Sequence, residues 1–375
     1  MIDRLARYVA LPSISRAEGP LADAIASDLA SAGLPVHREG HNLWSTIGDR
    51  ARPRLLFNSH LDTVPPGHGW SHDPWQPRCR DGRVSGLGAN DAKGCVVAML
   101  EAFLRLSAGL RAGRPLGGTL VLALTAQEEI SGRGLGDVLP QLQPLDAALV
   151  GEPTGLVPMT AQRGLLVVRG RARGRTAHPA NTPPDAAENA ILTAAHDLLA
   201  LRNFDWGPPH PLLGRCHAHV TRIEGGLANN VIPDACEFTL DIRTTPSESH
   251  AALFARLQAA LRSELTIHSA RLGPVETPAD APIVQAVRRA LAGAAPAGSP
   301  AMSDMVFLTG VPAVKIGPGQ SVRSHAPDEY VLESELAAGA DAYERIARAY
   351  FDGYAEQAAA QDHAAAHHPA AEARP

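Results

Sequence analysis

Three separate apolar runs in this chain break off at residues able to hold a metal ion, and that recurrence constrains the fold more than any other feature. Leu55, Leu56 and Phe57 lead into His60 and Asp62; Thr119–Thr125, TLVLALT, leads into Gln127-Glu128-Glu129; Leu145 to Val150 leads into Gly151-Glu152-Pro153-Thr154. Short apolar runs of this kind fit strands covered on both faces. In open α/β sheets, ligands collect at the carboxyl ends of the strands. His60 and Asp62 stand two apart, so on a strand they project to the same side, and Asp62 can steady a metal-holding His60 through its second ring nitrogen. A lone His-x-Asp is more often an ordinary surface or core pair. Here the other strand ends supply further ligands.

At 375 residues the chain is long for one core, so two domains are expected. Strands over Leu43–Ile47 and Leu55–Ser59 alternate with helices over Leu21–Ala32, ending at Gly33, and from Asp91 to Ser107, where Val96, Val97, Leu100 and Phe103 share a core face. From about Arg163 the texture changes. Strands over Leu165–Arg173, His217–Glu224, Cys236–Arg243 and Leu265–Arg271, with helices over Asp185–Leu201 and Ser249–Leu261, have the order β-α-β-β-α-β of a split βαβ module. Ile283–Leu291, Val314–Ile316 and Leu332–Tyr350 then return to the first domain. The expected boundaries are 1–162 and 273–354 for the first domain, 163–272 for the insert, and 355–375 for a disordered tail rich in Ala, His, Gln and Glu.

A formal charge of −5 gives no polycationic surface, so neither nucleic acid nor anionic membrane is an expected partner. No apolar run reaches the roughly 18 residues of a membrane span. Met1-Ile2-Asp3-Arg4-Leu5 lacks the start of a secretory signal, and the expected location is the cytoplasm. Cys79, Cys95, Cys216 and Cys236 lack C-x-x-C spacing, which disfavours a cysteine zinc site and a disulfide framework. Only two lysines, Lys93 and Lys315, accompany 32 arginines, and both fall within motif stretches.

The candidate ligands are His60, Asp91 in Gly86-Leu87-Gly88-Ala89-Asn90-Asp91-Ala92-Lys93-Gly94, Glu128, Glu129, Glu152 and His325 in Gly317 to Tyr330. Imidazole and carboxylate without thiolate suit zinc, and also cobalt or manganese. Two histidines and three carboxylates suffice for two divalent ions sharing one bridging carboxylate, with one acid left for proton transfer. Adjacent Glu128 and Glu129 point in different directions, which fits a base beside a ligand.

SHLDTVP, GLGANDAKG, AQEE, GEPT, NNVIPD and GPG…SHAPDEY occur in one order across residues 1 to 352, and as a set they resemble the M20 family of co-catalytic metallohydrolases, most of all its acetylornithine deacetylase and succinyl-diaminopimelate desuccinylase group. The resemblance implies an α/β fold: a metallo-aminopeptidase-like catalytic domain with a mixed sheet flanked by helices, plus an inserted ferredoxin-like lid and dimerisation domain, giving a homodimer. It implies that His60 and Glu152 hold one zinc, Glu129 and His325 the other, that Asp91 bridges them, that Glu128 is the general base and that Asp62 steadies His60. It further implies that His178, in Arg175-Thr176-Ala177-His178-Pro179, completes an oxyanion site. Asn230 and Arg243 correspond to residues gripping a substrate carboxylate, though Arg243 reads equally as a strand-end surface charge. Ser303, Asp304, Gly317 and Gly319 line the substrate pocket by the same resemblance.

The expected activity is removal of the Nα-acyl group from a small N-acyl amino acid, with acetylornithine in arginine biosynthesis the first choice. Succinyl-ornithine, acetyl-citrulline, acetyl-lysine and succinyl-diaminopimelate deacylation, and dipeptide cleavage, share the same metal core. A succinyl group adds an anion that Arg163 or Arg323 could receive. A non-catalytic binding protein on this fold should have lost a ligand or the base, and the sequence shows no such loss.

Overall fold

The computed structural model describes residues 1–130 and 133–366, with side chains described as far as Glu356. It divides into two compact units: residues 1–160, 277–297 and 303 onward, and residues 161–276 with 298–302.

The first unit is built on a mixed sheet. Its central strands Thr119–Thr125, Arg54–His60, Ala147–Val150 and Ala313–Lys315 lie side by side in that order and run parallel, so all four carboxyl ends open on one edge. Asn42–Gly48 and His37–Glu39 extend the sheet antiparallel beyond Thr119–Thr125. Every residue of Thr119–Thr125 is buried, as a strand sandwiched between layers demands. Leu55, Phe57, Leu120 and Leu122 pack into one core with helices Ile2–Val9, Gly19–Ser31, Lys93–Arg111, Pro282–Ala290 and Glu333–Ala366. Val96, Val97, Leu100 and Phe103 are fully buried in it, and Phe57 meets Tyr343 with ring centroids 5.7 Å apart. Helix Arg133–Leu142, burying Leu135, Val138 and Leu142, contacts two strands of this sheet. No described helix is long and apolar enough to cross a membrane.

The second unit is a four-stranded antiparallel sheet in the order His217–Gly225, Ala235–Thr244, Gly164–Arg173, Glu264–Leu272, with helices Ala190–Ala200 and His250–Ala260. This is the split βαβ arrangement. Along Gly164–Arg173 burial alternates, because one face packs on the helices through Leu166, Val168 and Ala172 while Arg169, Arg171 and Arg173 are exposed.

Several expected elements differ in extent. The helix expected from Asp185 begins at Ala190: Pro183 and Pro184 impose a separate short turn, and Asn189 caps the helix by accepting from the backbone N–H of Ile191 and Leu192. Of its apolar stripe, Ala190 and Ala194 are covered by the unit's own sheet, while Ile191 is exposed, as are Leu192 and Leu199. The last helix runs to Ala366 rather than ending near Tyr350, since the Ala- and Gln-rich stretch after Tyr354 favours helix intrinsically; the part of the expected tail over 367–375 lies outside the described residues.

Candidate metal centre

At the carboxyl ends of the parallel strands, His60, Asp91 and Glu129 place one donor atom each within 4.8 Å of the others. His60 ends its strand and is buried; its Nδ1 lies 3.0 Å from the carbonyl of Asp62 and 3.5 Å from that residue's Oδ1. Its Nε2 lies 3.2 Å from Asp91 Oδ1 and 3.9 Å from Glu152 Oε1. His325 Nε2 lies 2.9 Å from Glu129 Oε1 and 3.7 Å from Asp91 Oδ2. The two oxygens of Asp91 therefore face different histidines. One histidine keeps company with Glu152, the other with Glu129.

Asp62 is fully buried and indexes the carboxylates to His60: its Oδ1 accepts from the backbone N–H of Glu128 at 3.0 Å, and its Oδ2 from that of Glu129 at 3.1 Å and from Ser15 Oγ at 2.6 Å. Because one carboxylate holds both backbone amides, the Glu128-Glu129 turn is fixed relative to the imidazole. Gln127 just before it, and His325, both take left-handed backbone, which ordinarily costs a non-glycine residue about 1–3 kcal/mol and marks a conformation imposed by surrounding contacts.

Burial alone would lower the His60 imidazole, but its bonds to Asp62 and Asp91 hold it well above its ordinary value. Burial raises Glu128 well above the carboxylate range; His60 opposes this, while the charges of Glu152, Asp304 and Glu129 add to it. Glu152 is raised to about 7, again first by burial, with Lys315 opposing. The bond to Glu129 raises His325 to about 9. The cluster thus carries more buried carboxylate than its own imidazoles balance, which is the environment divalent cations relieve. Its oxygen and imidazole donors fit zinc, cobalt or manganese. In such an arrangement His60, Glu152 and one oxygen of Asp91 would hold one ion, and Glu129, His325 and the other oxygen a second.

The remaining expected positions fall out variously. Gly317 and Gly319 are buried packing glycines: a side chain at Gly317 would meet Tyr343 Oη, Cys95 Sγ and the Glu152 carbonyl within 2.7 Å, and one at Gly319 would meet Asn90 Oδ1 at 2.3 Å. The missing side chains let this loop approach the ligand segments closely, and Gly319 also lines a cavity with Gly155, Leu156 and Pro318. Asp304 is buried too, its Oδ2 accepting from Thr125 Oγ1 at 2.9 Å; burial raises it to about 6, and its charge adds to the rise of Glu128. Ser303 is buried and caps the turn Asp304–Phe307, accepting from Met305 N–H.

In the second unit, His178 accepts from Ala180 N–H through Nδ1. Asn230 lies in an exposed turn before Val231. Arg243 is engaged by Asp241 on its own strand, Nε to Oδ1 at 2.7 Å and Nη2 to Oδ2 at 3.2 Å. The arginines considered for a second substrate anion are also committed. Arg163 donates to the backbone carbonyls of Leu213 and Arg215, and Arg323 pairs with both oxygens of Glu335 at 2.7 and 3.1 Å.

Two positioning groups escaped the motif reading. Glu329, nearly fully buried, accepts from the backbone N–H of Gly88 at 3.2 Å and of Asn90 and Asp91 at 2.8 Å each, tying the His325 loop to the Asp91 loop. Asn90 completes the tie, accepting from Gln320 N–H at 2.9 Å and donating to the Gln320 carbonyl at 3.1 Å. Glu329 was visible only as part of the Asp328-Glu329-Tyr330 stretch, where nothing in the sequence separates it from its acidic neighbour. Lys93 proves structural: its buried Nζ donates to the carbonyls of Tyr8 and Leu11 at 3.1 and 3.0 Å.

Comparison with known proteins agrees with this geometry. The succinyl-diaminopimelate desuccinylase of Xylella fastidiosa is 32% identical over 92% of this chain and 97% of its own length. The acetylornithine deacetylase of Edwardsiella ictaluri is 31% identical over 86% and 90%. Among solved structures, the aminopeptidase PepT of Bacillus cereus superposes with a TM-score of 0.77 at 21% identity, covering 93% of this chain and 97% of that one. The Bacillus subtilis YXEP protein, described as a dinuclear metal-binding peptidase of the M20 family, gives 0.71 at 16% identity, covering 94% and 98%. Residues 56–349 match peptidase family M20/M25/M40, a span that holds every ligand candidate above, and the chain belongs to that family as a metal-dependent amide hydrolase.

Proposed function

We propose that this enzyme removes the Nα-acyl group from an N-acyl amino acid at a pair of divalent ions, zinc in the first instance, with Asp91 between them. The observation that carries this reading is the division of Asp91, Oδ1 toward His60 and Oδ2 toward His325, with Glu152 and Glu129 on the respective sides. The ions, when bound, supply Lewis acidity toward an amide carbonyl and acidify water. Glu128 is held beside the ligands without pairing to either histidine, and burial raises its proton affinity. It takes the proton of the attacking water and returns it to the departing amine. His178 is assigned to the developing oxyanion, and Asn230 with Arg243 to the substrate carboxylate; for Arg243 this means exchanging Asp241 for the substrate.

Acetylornithine is the preferred substrate in this reading. Support is that Arg163 and Arg323 already bond to groups of the chain itself, so a succinyl carboxylate would require a second partner exchange in addition to that of Arg243. The second reading is a desuccinylase, favoured by the name of the Xylella relative. The test compares kcat/KM for acetylornithine, succinylornithine and succinyl-diaminopimelate at matched metal and pH. A preference of about tenfold or more for acetylornithine, roughly 1.4 kcal/mol, is expected, and the same margin for either succinyl compound overturns the choice.

A further inference from the structure

We infer that the first unit carries a second, separate binding site, for a small molecule bearing two or more oxyanion groups. The site is a cavity of about 530 Å³ on the small sheet Arg78–Arg80, Arg83–Ser85 and Tyr330–Leu332. In this sheet Arg80 stands opposite Arg83, Arg78 opposite Ser85, and Ser85 opposite Tyr330. Directly opposed residues share a face, so the three arginines converge on one side, and like charges placed directly opposite repel. Among the described residues, none of the three is ion-paired to a carboxylate.

The two acids lining the cavity do not answer them. Asp328 is taken by Ser71, whose backbone N–H and Oγ donate to its Oδ1 at 2.9 and 3.0 Å, and by His72 at 3.3 Å. Asp81 sits at the hairpin turn in left-handed backbone and pairs with no cation among the described residues. The Arg83 guanidinium is held 4.6 Å above the Tyr330 ring, which fixes the direction of its fork. Guanidinium forks suit phosphate and carboxylate alike, and the volume suits a small ligand rather than a single inorganic ion. Ser85 leads directly into the Asp91 loop and Tyr330 follows Glu329, yet none of the arginines belongs to the metal cluster.

The test is calorimetric titration of the metal-loaded full-length protein with fructose 1,6-bisphosphate and, separately, with tricarballylate, repeated for Arg80→Ala/Arg83→Ala and for Arg80→Lys/Arg83→Lys. Saturable binding of one probe at one per chain is expected, weakened about tenfold or more in the alanine variant and less in the lysine variant, and weakened by added salt. Both variants should retain wild-type amide hydrolysis, which shows that they fold. Tighter binding of the bisphosphate identifies a phosphate ester as the ligand class, and tighter binding of tricarballylate a polycarboxylate; either supports the site. Failure of both probes to saturate at about millimolar concentration, or equal affinity in the alanine variant, overturns it.

Discussion

Glu128 and Glu129 are neighbours of one chemical type, and what separates them is how each is held. Glu129 faces His325 at 2.9 Å, whereas Glu128 is half-buried among like charges and hydrogen-bonds to neither histidine. Replacing Glu128 with Gln preserves shape and leaves the proposed ligands in place but removes the proposed proton acceptor. Metal content should therefore be unchanged while kcat falls by about 10²–10⁴. Metal analysis with steady-state kinetics on the same sample checks this, and a near-normal kcat would move the base to another residue. Asp62 acts differently: it touches no reacting atom but fixes His60 and both glutamate amides, so its loss should disturb metal content as well.

Two helices at the amino terminus are joined by one carboxylate. Asp28 on Gly19–Ser31 accepts from Tyr8 Oη at 2.7 Å and Arg4 Nε at 3.2 Å, and also from Arg7, all on Ile2–Val9. Burial would raise Asp28, but the bonds from Tyr8 and Arg7 and the charge of Arg4 bring it below its ordinary value. A carboxylate lowered on folding contributes stability that is fully present above its unfolded pKa of about 4 and is lost as pH falls through the folded value. Asp28→Asn should thus cost about 1–2 kcal/mol at pH 7 and much less near pH 2; urea denaturation at the two pH values measures it, and an equal cost at both would contradict the assignment. Ile2–Val9 carries its own signal, since Leu5, Tyr8 and Val9 fall at helical spacing and all are buried, although no helix was expected before Leu21. The long parallel strands were read closely because burial on both faces leaves an unbroken apolar signal. The hairpin Arg78–Arg80 and Arg83–Ser85 was not, because three-residue strands rich in arginine, with Val84 the one buried side chain, are too short to show an apolar period. The proposed metal ligands were nameable because each ends a strand or a motif. Glu329 and Ser15 act through backbone and side-chain bonds to partners 239 and 47 residues away in sequence, and spacing cannot reveal such ties.

At the scale of the molecule, the second unit has a core of its own and an uncovered apolar surface. Leu192 and Leu199 on helix Ala190–Ala200 are 65% and 61% exposed, and Ile223 on the edge strand His217–Gly225 is 53% exposed. An unpaired edge strand beside exposed leucines invites a second copy. A homodimer through this surface is the expectation, with Leu192→Glu/Leu199→Glu shifting light scattering toward monomer; a wild-type protein that is monomeric at working concentration would contradict it. In the first unit, Asp91 is proposed to serve two ions at once. The most direct measurement of this strips the full-length protein with a chelator, adds zinc back in steps and follows hydrolysis of an N-acyl amino acid. Negligible turnover is expected in the stripped protein, full recovery at two ions per chain, and neither ion held tightly once Asp91 is replaced with Ala. Full turnover in thoroughly demetallated protein would contradict the proposal.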